Sequence, residues 1–256
     1  MSQRSADERI QALKDAGVEL LSYSKMSTIN SCLYSAWRTY ILHDRGADNC
    51  YSWAGTVCHD SLELLENDKI TEADLLPRFE KGIAEMDSLG LEFPKDFRGT
   101  DGIRQRYIED ICHFCKTYYR PKGKFTTEEL LIYQVNDKLA IRGYADLLRW
   151  GNDNEVSVLD YKTSSNYAEK DLLEHGRQLT IYGMALEQSG YKVKSTAWIM
   201  LKYVVINFNW YATKRSKTKT PLTRIVNRSK IYATIKDAVE SACCEVGMDE
   251  VDIEMA

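Results

Sequence analysis

Residues 143–164 read GYADLLRWGNDNEVSVLDYKTS, and this stretch decides the fold. Two apolar segments flank a polar Gly-Asn-Asp-Asn turn, so they are predicted to be antiparallel neighbouring strands. The second segment, VSVLDYKTS, is apolar until it ends in Asp160, Tyr161 and Lys162. Its valines and leucine predict a buried strand. An acid and a base two positions apart at the end of such a strand therefore need an explanation.

The first segment carries a second acid, Asp146. Because the turn is short, Asp146 and Asp160 are predicted to approach each other across the ladder. Close carboxylates repel each other, and a divalent cation such as Mg²⁺ relieves this by binding both. Asp160 and Lys162 are predicted to share one face, since side chains alternate along a strand. Tyr161 is predicted to point to the other face. An isolated Asp-x-Lys pattern can also be a simple salt bridge at a strand end, and this is the alternative to a metal site.

The composition is that of a globular protein. The chain has 256 residues, of which 44% are hydrophobic and 28% charged, and this excludes a disordered polymer. The net charge of −4 does not by itself indicate a nucleic-acid binder. No apolar run approaches the roughly 20 residues of a membrane span, and the polar N-terminus is not a signal peptide. Seven cysteines in no disulfide pattern favour reduced thiols in a cytoplasm.

Helical periodicity dominates the first half of the chain, and strand patterns dominate the second. Thr71 and Asp74 have the pattern of a capping pair, and Ser27 or Thr28 is a candidate cap for the second helix. The predicted helices are 6–21, 31–43, 53–67, 71–90, 99–119, 168–188 and 230–245, and the predicted strands are 128–137, 138–150, 155–163, 194–203 and 204–212. This order predicts an α/β fold, with a mixed sheet flanked by helices and a helical N-terminal region.

The pattern G-x-x-D, a hydrophobic strand and then D-Y-K-T resembles the PD-(D/E)XK nuclease superfamily, and more narrowly its RecB-type exonuclease branch. Three further marks of that branch lie in order over roughly residues 25–205. They are the pairs Gly55 and His59, Gln178 and Tyr182, and Ser27 and Cys32. No G-x-x-x-x-G-K-[ST] motif is present, so the resemblance is to a phage-like stand-alone exonuclease and not to a motor.

This resemblance implies a restriction-endonuclease-like fold in a single nuclease domain over residues 1–256. Residues 1–120 would form the mainly helical region. Residues 121–212 would form the catalytic sheet with its crossover helix. Residues 213–256 would form a basic loop and a C-terminal helix.

The resemblance also implies roles for individual residues. Asp146, Asp160 and Lys162 would be catalytic. One or two Mg²⁺ or Mn²⁺ ions would be bound by Asp146, Asp160, His59 and the Tyr161 carbonyl. A histidine ligand favours tolerance of Mn²⁺, because Mg²⁺ prefers oxygen.

Two residues on the helix after the catalytic strand complete the implied site. Gln178 and Tyr182 lie four residues apart and so share one helix face. They would hold the catalytic strand or contact DNA, and a plain hydrogen bond along the helix is the alternative. Glu128 and Glu129 begin the first predicted hairpin strand. They either add to the acidic site or are solvated strand-end charges.

Seven basic residues and no acid lie between residues 214 and 230. The DNA-binding prediction names four of them: Lys214, Arg215, Lys217 and Lys219. Such loops bind phosphates without reading sequence, and a solvated surface loop is the alternative. For Tyr34, Trp37 and Tyr40 both stacking on unpaired bases and packing in the core are open.

One branch of the family binds an iron–sulfur cluster through four cysteines, and Cys32 occupies the place of the first. The C-terminal part offers only the adjacent pair Cys243 and Cys244, which cannot replace three ligands, so we predict no cluster. Cys112 and Cys115 are predicted to be small buried hydrophobic residues.

Together these features predict a Mg/Mn-dependent DNA nuclease, a phosphodiester hydrolase acting as an exonuclease in recombination, repair or replication. DNA would be its partner, and a single-strand annealing or recombination protein would be a second one. The expected location is the cytoplasm, or the host cytoplasm if the chain is phage-encoded, and an oligomer is compatible with the sequence. A catalytically silent DNA-binding module on the same fold is one alternative. An unrelated α/β protein with an Asp-Tyr-Lys salt bridge is the other.

Overall fold

The computed structural model describes residues 5–44, 46, 48–120, 122–208, 222–230 and 253–255. The α-helices in these ranges are α1 (Ala6–Asp15), α2 (Tyr23–Ser31), α3 (Leu33–Tyr40), α4 (Cys50–Glu66), α5 (Glu72–Ser88), α6 (Gly102–Thr117) and α7 (Leu172–Gln188). The strands are β1 (Glu19–Ser22), β2 (Lys124–Asn136), β3 (Leu139–Trp150), β4 (Glu155–Lys162), β5 (Lys192–Met200), β6 (Tyr203–Phe208), β7 (Leu222–Asn227) and β8 (Ile253–Met255). Short 3-10 helices cover Glu169–Asp171 and Arg228–Lys230.

The main sheet of the described residues is built around β3. Along one edge β3 pairs with β2 as the predicted hairpin. Along the other edge its first residues pair with β1 in parallel, and its last residues pair with β4 antiparallel. Strand β5 then pairs with β4 in parallel, and α7 makes the crossover between them. A second sheet has the order β7-β6-β8. The mixed α/β class is therefore as predicted.

Two hydrophobic clusters lie on the two faces of the main sheet. Helices α4, α5 and α6 supply most of the first cluster, to which Leu147 and Tyr161 belong. Helix α7 packs on the other face, where Leu148 and Val158 are buried. The alternation of side chains along β3 and β4 thus gives each strand a buried residue on both faces. This layered packing fixes the end of β4 between helices on either side.

Local signals explain most element boundaries. The Thr71 and Asp74 capping box is present at α5, as predicted. The turn between β3 and β4 places Asp153 and Asn154 at positive φ, as a tight hairpin connection requires. Gly190 has a φ of 88°, which no other residue type adopts easily, and it follows the end of α7 as predicted.

Two helix predictions in the N-terminal region need correction. The helix predicted for residues 6–21 ends at Asp15, because Gly17 takes a φ of 76°, and the chain continues as β1. The helix predicted for 31–43 is present as the shorter α3, and the unpredicted helix α2 precedes it, with the extended backbone of Cys32 between the two. Cys32 is also the cap of α3, so the predicted cap at Ser27 or Thr28 is wrong, and both of these residues lie inside α2.

Two other predictions lie partly or wholly outside the described residues. The helix predicted for 230–245 and the basic residues 214–219 belong to the ranges that are not described. None of the described helices has the length and apolar character that a bilayer-spanning segment requires.

Candidate active site

A notch in one edge of β3 forms the centre of the candidate site. On that edge β1 pairs with residues 139–142, and β4 pairs with residues 147–150. Residues 143–146 lie between these two ladders, and no strand of the described ranges pairs with them on that edge. Asp146 is the residue at which the β4 ladder stops, and Asp160 is its counterpart in register on β4. The two acids named from the sequence therefore meet at this notch.

Asp146 takes over the hydrogen bonding where the ladder stops. Its Oδ2 accepts the main-chain N–H of Tyr161 at 2.8 Å. The same oxygen lies 3.3 Å from Nδ1 of His59. The Asp146 carboxylate is therefore held by β4 on one side and faces α4 on the other.

Asp160 and Lys162 share a face, as predicted from their spacing. Lys162 Nζ lies 2.6 Å from Asp160 Oδ2, and Asp160 is 3% exposed. This contact is a charge contact, since Asp160 Oδ2 is buried without a hydrogen bond of good geometry among the described residues. Burial raises the pKa of Asp160, and the Lys162 ammonium opposes that shift. A buried carboxylate oxygen with one cation as its neighbour suits binding of a metal ion.

His59 reaches the notch because α4 passes close to the end of β4. At Gly55, one helical turn before His59, an added Cβ would lie 3.4 Å from Oγ1 of Thr163. That distance is an ordinary van der Waals contact, so α4 lies close against the segment that follows Lys162. Burial lowers the pKa of His59, but the Asp146 carboxylate more than offsets this, so the pKa is raised. His59 and Asp146 thus form a coupled pair.

Tyr161 anchors β4 from the opposite face. Its hydroxyl donates to Glu66 Oε1 at 3.3 Å, and the Tyr118 hydroxyl donates to the same oxygen at 3.0 Å. The two tyrosine hydroxyls are 3.2 Å apart. Burial raises the pKa of Glu66, and the two hydrogen bonds oppose that shift. This network fixes the backbone of Tyr161, whose N–H binds Asp146.

Gln178 and Tyr182 face the site from α7. Gln178 Nε2 donates to the Tyr182 hydroxyl at 2.9 Å, which is the hydrogen bond along the helix that the sequence left as an alternative. Tyr182 also lies directly on β3, because a Cβ added to Gly143 would be 2.5 Å from its ring. Burial raises the pKa of Tyr182, and the negative charges of Asp160 and Asp146 add to this. The Tyr182 ring therefore packs directly against Gly143 of the G-x-x-D pattern, where any side chain would block it.

Glu128 lies beside the acids of the notch, which is one of the two placements that the sequence left open for it. Strand β2 begins at Lys124, so Glu128 is in mid-strand and not at the strand end where it was predicted. Its neighbours pair with Leu147 and Ala145, which places Glu128 opposite Asp146. Its φ is 48°, an unusual conformation for a glutamate and one that concentrates at functional sites. Partial burial and the Asp146 charge raise the pKa of Glu128.

The signal that places Glu128 beside Asp146 is the register of the hairpin, because a turn at residues 136–138 brings the two acids opposite each other. The sequence named Glu128 and Glu129 as candidates for the acidic site, and the register selects Glu128, since Glu129 pairs with Ala145.

The described residues hold no ready-made cage of three or more His, Cys, Asp or Glu side chains. Asp146 and Asp160 instead contact His59, Lys162 and the Tyr161 N–H. The chemistry of the donors nevertheless suits a hard divalent cation, since two carboxylates meet at the notch and the buried Asp160 Oδ2 has only the Lys162 ammonium as a charged neighbour among the described residues.

Other residues named from the sequence lie elsewhere. Tyr34 and Trp37 are exposed, so core packing is wrong for both. Lys214, Arg215, Lys217 and Lys219, like Cys243 and Cys244, lie outside the described residues. Cys115 is buried in the core beside α4, as predicted, and the Cys112 side chain packs against the same cluster.

Comparison with known proteins gives a match to one family. A family model described as the PD-(D/E)XK nuclease superfamily matches residues 20–245. No curated protein matches the chain. The match covers most of the chain, confirms the superfamily predicted from the sequence and excludes the unrelated α/β protein. It supports a nuclease, and nucleases of this superfamily generally use divalent metal ions. The chain therefore belongs to the PD-(D/E)XK nuclease superfamily.

Proposed function

We propose that the chain is a metal-dependent deoxyribonuclease of the RecB-type branch that acts as an exonuclease. The observation that carries this proposal is the meeting of Asp146, Asp160 and Lys162 at the notch of β3. The proposed setting is recombination, repair or replication, in which a single-strand annealing or recombination protein would receive the product strand. A silent DNA-binding module is disfavoured, since binding alone needs no buried Asp160.

The residues that would hold the metal ion are the acids of the notch. Asp146 and Asp160 would bind one or two Mg²⁺ or Mn²⁺ ions, with His59, the Tyr161 carbonyl and Glu128 as further donors. A bound ion would neutralise the negative charge that develops on the phosphate during hydrolysis. Without it, Asp146, Asp160 and Glu128 would repel the phosphate backbone of DNA.

Lys162 would be the cation of the reaction. Its ammonium lies 2.6 Å from Asp160, at the end of a strand that two helical layers hold in place. A positive charge fixed in this way stabilises charge in the transition state without having to reorganise. Lys162 would also orient the attacking water, since an ammonium donates hydrogen bonds and accepts none.

The remaining residues would hold this arrangement together. Tyr182 rests on Gly143 and is hydrogen-bonded to Gln178, so this pair would keep β3 and α7 in contact beside the acids. The hydrogen bonds of the Tyr161 and Tyr118 hydroxyls to Glu66, here called the Glu66 network, would hold Tyr161 from the opposite face of the sheet. The basic residues 214–219 would bind the DNA backbone, as such segments do without reading sequence.

A time course on two DNA substrates tests this function. End-labelled linear DNA and a covalently closed circle are incubated with the protein and Mg²⁺ or Mn²⁺, with and without a chelator. We expect mononucleotides or short fragments from the linear DNA, an intact circle, and no product with chelator. Cleavage of the circle would show an endonuclease, and intact linear DNA with both metals would leave only the silent binding module.

A further inference from the structure

A polar pocket lies directly beyond the catalytic strand. It has a volume of about 440 Å³ and lies between α6 and the segment that follows β4. Thr163, Ser164 and Ser165 contribute three hydroxyl groups to its wall. These residues follow Lys162 without interruption. The pocket is therefore a continuation of the candidate active site along the chain, although none of the roles proposed above uses it.

Two cations line this pocket. Arg106 projects from α6, and Lys202 comes from the turn between β5 and β6. Neither forms an ion pair with any residue in the described ranges. Lys202 Nζ lies 5.1 Å from the centre of the Tyr107 ring, and burial lowers the pKa of Lys202. An ammonium held in this way gains from an anion that enters the pocket.

A buried hydroxyl in the pocket also lacks a partner. Tyr107 is 3% exposed, and the Thr163 side chain is the polar group beside its hydroxyl, although the pair lacks good hydrogen-bond geometry within the described part of the chain. Leaving a buried donor unpaired is costly, so such a group is a mark of a missing partner. An anion with several acceptor oxygens would satisfy this hydroxyl together with the cations.

One acid also lines the pocket. Asp110 is buried, and its Oδ1 accepts the N–H of Ser229 at 2.8 Å. Its charge opposes the burial effect on both Lys202 and Arg228. With Arg106 and Lys202 as cations and Asp110 as the acid, the lining keeps a net positive charge. The pocket therefore favours an anion over a cation.

The pocket is close to the candidate active site along the chain. A chain of n residues spans at most about 3.3–3.6 Å per residue, so the backbone of Thr163 to Ser165 lies no more than about 11 Å from that of Lys162. A DNA strand carries one phosphate per about 3.4 Å of helix axis, so phosphates one to three nucleotides apart span a comparable length.

We propose that this pocket binds a phosphate group of the DNA strand being cut, one or two nucleotides from the bond that is hydrolysed. Arg106 and Lys202 supply the charge, and the hydroxyls of Tyr107, Ser164 and Ser165 supply hydrogen bonds. This proposal rests on the proposed nuclease function, because it assigns the pocket to the same substrate. The phosphate is either an internal linkage or the terminal phosphate of the strand.

A scan with uncharged linkages tests the pocket. A set of oligonucleotides carries a single methylphosphonate, which lacks the negative charge, at successive positions from the scissile bond. A second set differs only in its ends, with 5′ or 3′ phosphate or hydroxyl. The proteins are the wild type, the double variant Arg106→Gln with Lys202→Gln, and the control Lys81→Gln on the exposed face of α5. The measurements are kcat/KM and, in chelator, the Kd from fluorescence anisotropy.

We expect one methylphosphonate position to lower kcat/KM and raise Kd about tenfold in the wild type and in Lys81→Gln, but less than twofold in the double variant. If the phosphate is terminal, the same loss appears instead between phosphate and hydroxyl ends. Equal losses in the wild type and the double variant would contradict phosphate binding in this pocket. If the wild type binds DNA but never cleaves it, the proposed nuclease function is wrong. The Kd values measured in chelator then still show whether the pocket binds a phosphate.

Discussion

The carboxylate of Asp146 accepts the main-chain N–H of Tyr161 at 2.8 Å, at the point where the ladder between β3 and β4 ends. A side chain thus replaces the next main-chain bond of the ladder. The contact holds Asp146 in place and orients the peptide between Asp160 and Tyr161 at the same time. The acid therefore has a structural role that can be separated from its charge.

Substitutions of Asp146 separate these two roles. Asp146→Asn keeps an oxygen that accepts the Tyr161 N–H, whereas Asp146→Ala leaves that N–H without its partner. We expect both variants to lose about 100-fold or more in kcat for DNA cleavage, since both lack the charge. We expect the alanine variant alone to lose about 1–2 kcal/mol of unfolding free energy in urea. An asparagine variant within threefold of wild-type kcat would contradict the proposed role.

Gly143 is predicted to be intolerant of even a methyl group. Gly143→Ala places a Cβ 2.5 Å from the Tyr182 ring, so we expect a loss of about 1–3 kcal/mol in unfolding free energy. Adding Tyr182→Leu should recover part of that loss, because the two residues are in contact. Gly183→Ala is the control on α7, where the new Cβ would lie at 3.8 Å from its neighbours. Equal losses at Gly143 and Gly183 would disprove the close contact.

Replacing Glu128 by glycine is predicted to raise the stability of the fold and to lower the activity. A glycine at this φ of 48° removes the strain, so Glu128→Gly should gain about 1 kcal/mol in unfolding free energy. The same change removes a carboxylate opposite Asp146, and we expect at least a tenfold lower kcat/KM. Asp153→Gly, at a φ of 53° in the turn after β3, is the control that should gain stability with unchanged activity. Unchanged activity in Glu128→Gly would exclude the carboxylate from the site.

Glu66 is predicted to make stability fall as the pH rises. Burial raises its pKa in the folded protein, so the folded state binds the proton more tightly than the unfolded chain. This contribution is fully present below the ordinary carboxyl pKa of about 4.3 and is lost as the pH rises through the raised value. Urea unfolding from pH 4 to 8 should show a smaller decline for Glu66→Gln than for the wild type. A parallel decline in both proteins would show that Glu66 does not titrate in this way.

The hairpin of β3 and β4 was predicted well from the sequence because its signals are local. The alternation in β4 and the short turn after β3 fix which side chains are neighbours. The Asp160 and Lys162 contact then follows from a spacing of two residues. The G-x-x-D pattern was also informative, since Gly143 is required by the Tyr182 ring.

The parts that were missed depend on contacts between distant segments. Strand β1 was predicted as helix because four residues of ordinary composition become a strand only by pairing with β3. Gly17, with a φ of 76°, was the local signal that the preceding helix had ended. For Glu128 the sequence left two roles open, because its position opposite Asp146 depends on the register of a hairpin. The Glu66 network brings together three elements that no spacing rule connects.

The central claim is that Asp146, Asp160 and Lys162 together hydrolyse DNA. The most direct measurement is single-turnover cleavage of labelled DNA by the wild type and by Lys162→Ala, with Kd measured on the same DNA. We predict metal-dependent cleavage by the wild type, a loss of at least about 100-fold in the variant, and a Kd within about threefold. Equal cleavage rates for the two proteins, or no cleavage by the wild type with either Mg²⁺ or Mn²⁺, would contradict the claim.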